Sequence, residues 1–236
     1  MTTYLGVKVL GSGHGPNPET VEKCLGLRAP KSRTELQSFL GLVNFFREYV
    51  PNLAKFEAPF GSLLTKKGDF TWNDSFQTAF EKLKNAVQNG EWLMYADENK
   101  DFFLLTDASG DGMGAVLLQI DDNTEALRPV YYWSRKWKAA ERNYTTPEQE
   151  MLALVEGIEH FDEFLRPNPF FALTDHANVV KFFEGPAPRH SKRKSIRYDT
   201  FRLRVSGYQF IVIDRPRQNV FLEDYLSRIR PKSSEI

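Results

Sequence analysis

Apolar residues recur at helical spacing before about residue 100 and in short strand-like runs after it. Upstream, the segment SRTELQSFLGLVNFFREYV carries apolar residues every three or four positions up to Pro51, with Ser32 or Thr34 as its N-cap. A second helical segment, TWNDSFQTAFEKLKNAVQN, has Asn73 or Thr71 as its cap, and APFGSLLTK between the two predicts a shorter helix. Ahead of these helices, TYLGVKVLGSGHG predicts a strand followed by a glycine-rich turn.

Downstream, the pattern alternates between extended and helical segments. Three runs predict strands joined by short turns: DFFLLTDAS, GAVLLQI and LRPVYYWS. The segment TPEQEMLALVEGIEHFDEFL predicts a long helix, with Thr146 as cap, Pro147 at the first helical position and Gln149 completing a capping box. Strand-like PFFALTD and YQFIVID then alternate with helical ANVVKFFE, SIRYDTFRLRVSG and NVFLEDYLSRI. The predicted fold class is α/β: a mixed five-stranded sheet with flanking helices, preceded by a small helical domain.

The composition indicates a folded protein that is not secreted. Apolar residues make up 41% of the 236 residues and aromatic residues 14%, which is enough for a sizeable core. The single cysteine, Cys24, excludes an intramolecular disulfide framework and is typical of a reducing compartment. No apolar run reaches the roughly 18 residues of a membrane span, and the first residues lack the pattern of a secretory signal. We therefore expect an intracellular protein, cytoplasmic or nuclear.

The charge is balanced overall but unevenly distributed. The formal net charge is zero, which argues against binding of nucleic acid by bulk charge alone. Between Arg189 and Arg204, however, seven residues are Lys or Arg and only Asp199 is acidic. Such a stripe can follow a polyanion or can be an ordinary solvated helix face, and the residues alone leave both interpretations open.

Three aspartates stand at the ends of separate apolar stretches: Asp107, Asp175 and Asp224. Glu150 lies one turn inside the long predicted helix, with Glu148 at the other rim of the same apolar stripe, so periodicity favours Glu150 only weakly. Buried carboxylates are costly unless a cation offsets them, and hard cations such as Mg²⁺ take oxygen ligands. Each aspartate alone can be structural, because aspartate commonly ends strands and starts turns. Four acids on separate elements of a mixed sheet together indicate a divalent-metal site.

Four blocks, in this order, carry a family resemblance: TDASGDGMGAVLLQ, YYWSRKWKAAERNYTTPEQEMLALV, FFALTDHANV and EDYLSR. They resemble the ribonuclease H domain of gypsy-type long-terminal-repeat retroelements. Upstream, YLGVKV, the stretch from KSRTELQ to PFGSLL, and FTWNDSFQTAFEKLK are similar to the end of the palm, the thumb and the connecting segment of the same reverse transcriptases.

The resemblance covers roughly residues 4–230 and implies four regions. These are a palm-derived strand and turn at 1–24, a thumb- and connection-like helical domain at 25–99, a ribonuclease H-like domain at 100–230 and a tail at 231–236.

The resemblance also implies a nuclease that cuts the RNA strand of RNA–DNA hybrids. It assigns Asp107, Glu150, Asp175 and Asp224 as catalytic ligands of two Mg²⁺ ions, for which Mn²⁺ can substitute. Contacts to 2′-hydroxyls in the minor groove would distinguish RNA from DNA. The same resemblance places nucleic-acid contacts at Ser109, Arg135, Asn143, His176, Lys192, Arg193, Lys194 and Arg197.

Two departures from the family pattern keep a second hypothesis open. The family often has Tyr or His ten residues before the last catalytic aspartate, where this chain has Asp214, so turnover or metal affinity could differ. The fingers and most of the palm have no counterpart, so we do not expect DNA synthesis by this chain alone. The edge of the first strand would need a cover, such as a palm- and fingers-containing polypeptide or another protein. In the second hypothesis the chain is a co-opted, catalytically idle subunit that binds nucleic acid or docks in a larger assembly.

Overall fold

A three-stranded antiparallel sheet begins the chain. The protein is represented by a computed structural model that describes residues 2–4, 7–65, 69–185 and 192–214. The first strands are β1 (Thr2–Tyr4), β2 (Val7–Leu10) and β3 (Gly13–Pro16), paired in that order. Gly11 and Ser12 form a tight turn between β2 and β3, and the other residues of the glycine-rich stretch belong to β3. The prediction of one strand before that turn is wrong, because Thr3 pairs with Lys8 and the chain must reverse between them.

Four helices follow this sheet. They are α1 (Pro18–Leu25), α2 (Arg33–Asn44), α3 (Leu53–Glu57) and α4 (Asp74–Gln88). Ser32 and Asn73 cap α2 and α4, because their side-chain oxygens accept hydrogen bonds from backbone N–H groups of the first turn. The helix predicted for APFGSLLTK is instead a 3₁₀ turn at Ala58–Gly61, since Pro59 has no N–H with which to continue α3.

The helices share an apolar core that is separate from the core of the second sheet. Phe46, Leu53, Phe60 and Phe80 are fully buried in it. Burying a side chain of this size stabilises the fold by about 1.5–3 kcal/mol. The helical region therefore has its own source of stability.

Among the described residues, no helix combines the length and the apolarity needed to cross a bilayer.

The second half of the chain is built on a five-stranded sheet. Its strands are β4 (Phe103–Ala108), β5 (Gly112–Ile120), β6 (Leu127–Lys136), β7 (Phe170–Thr174) and β8 (Phe210–Asp214). The spatial order is β6-β5-β4-β7-β8. Strands β4, β5 and β6 pair antiparallel, β7 runs parallel to β4, and β8 runs parallel to β7. The predicted mixed five-stranded sheet with flanking helices is confirmed.

The helices of this half are α5 (Thr146–His160), α6 (Asp162–Leu165), α7 (Ala177–Glu184) and α8 (Lys192–Val205). Helix α5 packs on β4 and β5. The approach is close at Gly157, where an added Cβ would lie 3.1 Å from the Cβ of Ala115. The long helix predicted here is divided at Phe161, which ends α5 and precedes α6. The last predicted helix, NVFLEDYLSRI, lies outside the described residues.

The start of α5 differs by one residue from the prediction, and the difference matters for the acids. Thr145 is the N-cap in place of Thr146, and Glu148 closes the capping box in place of Gln149. The Glu148 carboxylate accepts hydrogen bonds from the N–H and the hydroxyl of Thr145, both at 2.8 Å. Glu148 is thereby committed to the helix terminus.

Candidate metal centre

The parallel pairing of β4 with β7 brings two of the predicted acids to one edge of the sheet. Leu105 on β4 is the Cα partner of Leu173 on β7. Asp107 lies two residues beyond the first, and Asp175 two residues beyond the second. Carboxyl ends of neighbouring parallel strands are where functional groups gather in such sheets. Both aspartates are exposed at this edge.

Helix α5 delivers a third acid to the same place from one face of the sheet. Ligand atoms of Glu150, Asp175 and His176 lie within 4.8 Å of one another. The His176 Nδ1 atom is 3.7 Å from a carboxylate oxygen of Asp175. Asp107 stands outside this closest group, but it acts electrostatically on Glu150. We call Asp107, Glu150, Asp175 and His176 the acid cluster.

The Glu150 carboxylate is the most unusual group of the acid cluster. Its residue is 4% exposed, and its Oε2 atom has no hydrogen-bond partner among the described residues. Burial raises its pKa to about 8, and the charges of Asp107 and Asp175 add to that rise. Leaving a buried carboxylate oxygen unpaired is costly. A cation bound at this oxygen would offset both the burial and the repulsion.

Asp107 shows the same effect in weaker form. Although the residue as a whole is exposed, partial burial of its carboxyl group and the charge of Asp175 raise its pKa, and the positive charge of Lys55 and the N–H of Ala108 oppose them. The same N–H also lowers the pKa of Glu150, so it serves both carboxylates. Within the described part of the chain, Lys55 and the N–H of Ala108 therefore offset only part of the negative charge at this edge of the sheet.

The donor set fits a hard divalent cation. Carboxylate oxygens are the ligands that Mg²⁺ and Mn²⁺ prefer, and they arrive here from three separate elements. Glu150, Asp175 and Asp107 are the residues that would hold such an ion. Asp224, the fourth predicted ligand, lies outside the described residues.

The structure distinguishes the roles of Glu150 and Glu148. Helical periodicity alone favoured Glu150 only weakly. Glu148 is buried as well, but it caps α5 and forms an ion pair with Arg197 at 2.7 Å. The Arg197 guanidinium also stacks on the ring of Tyr144. Of the two glutamates, only Glu150 has a buried carboxylate oxygen with no partner among the described residues, and its carboxylate belongs to the acid cluster.

The predicted nucleic-acid contacts fall in different settings. Asn143 is exposed in a 3₁₀ turn, and His176 belongs to the acid cluster. Ser109 closes the turn after β4 by donating to the carbonyl oxygen of Gly112. Lys192, Arg193 and Lys194 lie in the first turn of α8.

Two of the predicted contacts have partners within the protein. Arg197 is held by Glu148, and Arg135 is paired with Glu141 at 2.6 Å and Glu156 at 2.9 Å. The structure thus places Arg135 in an internal ion-pair network, and its contact with nucleic acid stays a prediction. Pattern reasoning could not detect this, since the two glutamates come from a 3₁₀ turn and from α5.

Asp214, where the family often has Tyr or His, ends β8 and is exposed. Its Cα partner across the sheet is Thr174, the residue before Asp175. The substitution therefore lies at the same edge of the sheet as the acid cluster. Sequence reasoning assigned His176 to nucleic acid and did not consider it as a ligand, although a histidine directly after a strand-ending aspartate is a visible signal.

The chain is similar in sequence to known proteins of retroelements. Residues 72–172 match the RNase H-like domain found in reverse transcriptase. The Tf2-3 and Tf2-4 transposon polyproteins of Schizosaccharomyces pombe are each 32% identical to this chain over 235 residues, which is 99% of it. The chain spans 17% of the length of these polyproteins.

Solved structures show the same fold. A foamy viral protease-reverse transcriptase in complex with double-stranded DNA superposes with a TM-score of 0.75 at 22% identity, over 92% of this chain and 45% of that one. The foamy viral enzyme in complex with an RNA/DNA hybrid superposes with a TM-score of 0.72 at 21% identity, over 93% of this chain and 30% of that one. The likeness covers the helical region together with the five-stranded sheet.

Proposed function

Because the chain carries an RNase H-like domain of the reverse-transcriptase kind and is related to retrotransposon polyproteins, we propose that it is a gypsy-type retroelement ribonuclease H. It would be a metal-dependent endoribonuclease that cleaves the RNA strand of RNA–DNA hybrids. The observation that carries this proposal is the buried Glu150 carboxylate, of which one oxygen has no partner among the described residues and whose pKa the charges of Asp107 and Asp175 raise further.

Glu150, Asp107 and Asp175 would hold Mg²⁺, with Mn²⁺ as a substitute, and Asp224 is proposed to complete the set for two ions. Bound divalent ions would activate a water and stabilise the charge that develops on the leaving oxygen. The chain's own part is to fix the carboxylate oxygens on rigid strand ends and on a helix. Burial of Glu150 on one side and exposure of Asp107 and Asp175 on the other leave the site open to a phosphate.

The surroundings support a polyanionic substrate. Lys192, Arg193 and Lys194 at the start of α8 are proposed to contact the phosphate backbone, as are Ser109, Asn143 and His176. The foamy viral protease-reverse transcriptase, which shares this fold, has been solved in complex with an RNA/DNA hybrid. We propose that this chain acts on the same kind of hybrid. Selection of RNA would come from contacts with 2′-hydroxyls.

The setting of the activity is also a proposal. Because the related polyproteins are much longer than this chain, we propose that a palm- and fingers-containing polypeptide works with it. That polypeptide would pair with or cover the edge strand β1 of the N-terminal sheet. We propose an intracellular site of action, cytoplasmic or nuclear, where retroelement RNA is copied.

The test is a cleavage assay on a duplex with a labelled RNA strand, with Mg²⁺ and with chelator. The Asp107→Asn variant should lose activity by about 10³-fold or more, because one metal-binding carboxylate is removed. The matched control is Asp122→Asn, which neutralises an acid whose side chain is 77% exposed on a surface ion pair. Cleavage by Asp107→Asn at the control's rate would remove the site assignment. Hybrid binding by the wild type without any cleavage would favour the idle-subunit hypothesis.

A further inference from the structure

Helix α3, from the helical region, is fixed on the second sheet close to the acid cluster. The N–H of Ala54 donates a hydrogen bond to Ser134 Oγ on β6 at 3.1 Å. At its other end, the Nζ of Lys136 donates to the carbonyl oxygen of Glu57 at 2.8 Å. Arg47 joins the two elements, because it donates to the Ser134 carbonyl oxygen at 2.9 Å and pairs with the Glu57 carboxylate at 2.8 Å. The position of α3 over the sheet is thus set by bonds at both of its ends.

The first residues of this docked segment lie beside the strand that carries Asp107. Asn52, which precedes α3, has a left-handed backbone with φ of 51°. Its side-chain oxygen is so near Gly114 that a Cβ added to the glycine would lie 1.9 Å from it. Gly114 is the Cα partner of Asp107 across β4 and β5, and of Ser134 across β5 and β6. Asn52 and Ala54 therefore contact the two residues next in line to Asp107 across the sheet.

Lys55 follows Ala54, so the docking of α3 places it over β5 and β6, beside the strand that carries Asp107. Its side chain is exposed and has no hydrogen bond or ion pair with the other described residues. Its charge is nevertheless felt at the site, because it opposes the rise in the pKa of Asp107 that burial and Asp175 cause. A lysine held near carboxylates without pairing with one is placed to receive another anion.

We propose that Lys55 binds a phosphate of the nucleic-acid strand that enters the acid cluster. The nuclease site is then composite, with its metal-binding acids on the sheet and a phosphate-binding residue supplied by the helical region. This inference rests on the proposed function, since it takes a nucleic acid as the substrate. Divalent ions would balance the carboxylates, and the Lys55 ammonium would then be free to neutralise the backbone next to the point of cleavage.

The experiment compares three variants of the full chain: Lys55→Ala, Lys55→Arg and Lys82→Ala. Lys82 is an exposed lysine on α4, which packs on α1 and α3, and its removal changes the net charge equally. Binding of an RNA–DNA hybrid whose RNA strand is 2′-O-methylated, and therefore not cleaved, is measured at a fixed Mg²⁺ concentration over a range of monovalent salt, and cleavage is measured with Mg²⁺ on the unmodified hybrid. Mn²⁺ binding is measured calorimetrically without nucleic acid.

Lys55→Ala should weaken hybrid binding on the order of fivefold to tenfold and reduce the slope of log K against log salt by about one, since one phosphate contact is lost. KM should rise by a similar factor with kcat little changed, and Lys55→Arg should recover most of the loss. Lys82→Ala should leave the binding, the slope and KM near those of the wild type. Mn²⁺ affinity should stay the same or increase in Lys55→Ala, because a like charge near the ion has been removed.

Each other outcome decides between the two proposals. If Lys55→Ala binds hybrid with the affinity and salt slope of Lys82→Ala, or changes Mn²⁺ binding alone, Lys55 is only a counter-ion of the acids and the inference fails. Cleavage by the wild type would in that case leave the nuclease proposal standing. If the wild type binds hybrid in a Lys55-dependent way and does not cleave it, the nuclease proposal fails and the contact stands. Absence of both binding and cleavage overturns both.

Discussion

Helix α5 contributes carboxylates to two clusters that differ in how their buried charge is compensated. The acid cluster takes Glu150 from it. The second cluster, which we call the arginine network, takes Glu156 and Glu159 from it and adds Arg135, Glu141 and Arg204. In the arginine network, Arg135 pairs with Glu141 and Glu156, and Arg204 pairs with Glu156 at 2.7 Å and also with Glu159.

The pKa values follow the presence or absence of those arginines. Burial opposes ionisation of Glu156, but hydrogen bonds from Arg204 and Arg135 outweigh it and hold its pKa below the ordinary value. The pKa of Glu141 is lowered in the same way by Arg135 and Lys138. Burial raises the pKa of Glu150 to about 8, and its neighbours are further acids. Among the described residues, arginines neutralise the carboxylates of the arginine network, whereas the acid cluster has no such pairing, which is why we propose a cation there.

The largest effect on stability should come from breaking the arginine network. Arg135→Met leaves Glu141 and Glu156 with less compensation in a setting where Glu141 is 7% exposed. We expect the free energy of unfolding to fall by about 2–3 kcal/mol, as measured by denaturant titration at pH 7. The control is Arg166→Met, whose partner Asp162 is about half exposed, and its loss should be much smaller. Equal losses would mean that the arginine network is no more than a surface feature.

Neutralising the acid cluster should have the opposite sign. In chelator at pH 8, Glu150→Gln should raise the free energy of unfolding by about 2 kcal/mol, because a buried carboxylate is no longer forced to ionise. The folded pKa of Glu150, about 8, lies above its ordinary value of 4.5. The wild-type carboxyl therefore contributes its full stability below about pH 4.5 and loses it as the pH rises through 8.

The pH series separates charge from packing in that comparison. Wild type and Glu150→Gln should have similar unfolding free energies near pH 4 and should diverge between about pH 4.5 and 8. With saturating Mn²⁺ at pH 8 the order should reverse, because only the wild type retains the full ligand set. A gain that persists unchanged at pH 4 would show that better packing, and not relief of charge, stabilises the variant.

The smallest effect concerns the imidazole in the acid cluster. The His176 Nδ1 atom lies among the carboxylate oxygens, and imidazole is a softer donor than a carboxylate. His176→Asn should therefore weaken Mn²⁺ binding by about threefold to tenfold and Mg²⁺ binding less, as measured by calorimetry. Equal losses for both ions would indicate that His176 only orients Asp175, which is 3.7 Å away.

The local pattern of the chain was enough to predict much of the fold. All five strands of the second sheet were predicted from short apolar runs, and Asp107 and Asp175 stand at the strand ends where the pattern puts them. The errors were local as well. The capping box was placed one residue late, and one strand was predicted where β1 and β2 form a hairpin.

The sequence pattern cannot predict which of Glu148 and Glu150 belongs to the acid cluster. Two residues apart on one helix, both are buried, and the apolar stripe of α5 hardly distinguishes them. The two differ because Glu148 accepts hydrogen bonds from Thr145 and from Arg197. Arg197 lies on α8, 49 residues after Glu148. Composition and periodicity cannot predict which cation pairs with which acid.

Most strands and helices, and the acids at their ends, can be predicted from the amino-acid sequence, because they depend on the alternation of apolar and polar residues over a few positions. Three features depend on how the elements pack: one oxygen of Glu150 has no partner among the described residues, Arg135 is paired with two glutamates, and the charge of Lys55 on α3 acts on Asp107. The physical reason is that the pKa and the pairing of a charge depend on distance and burial. Both quantities are set by residues that lie far apart along the chain.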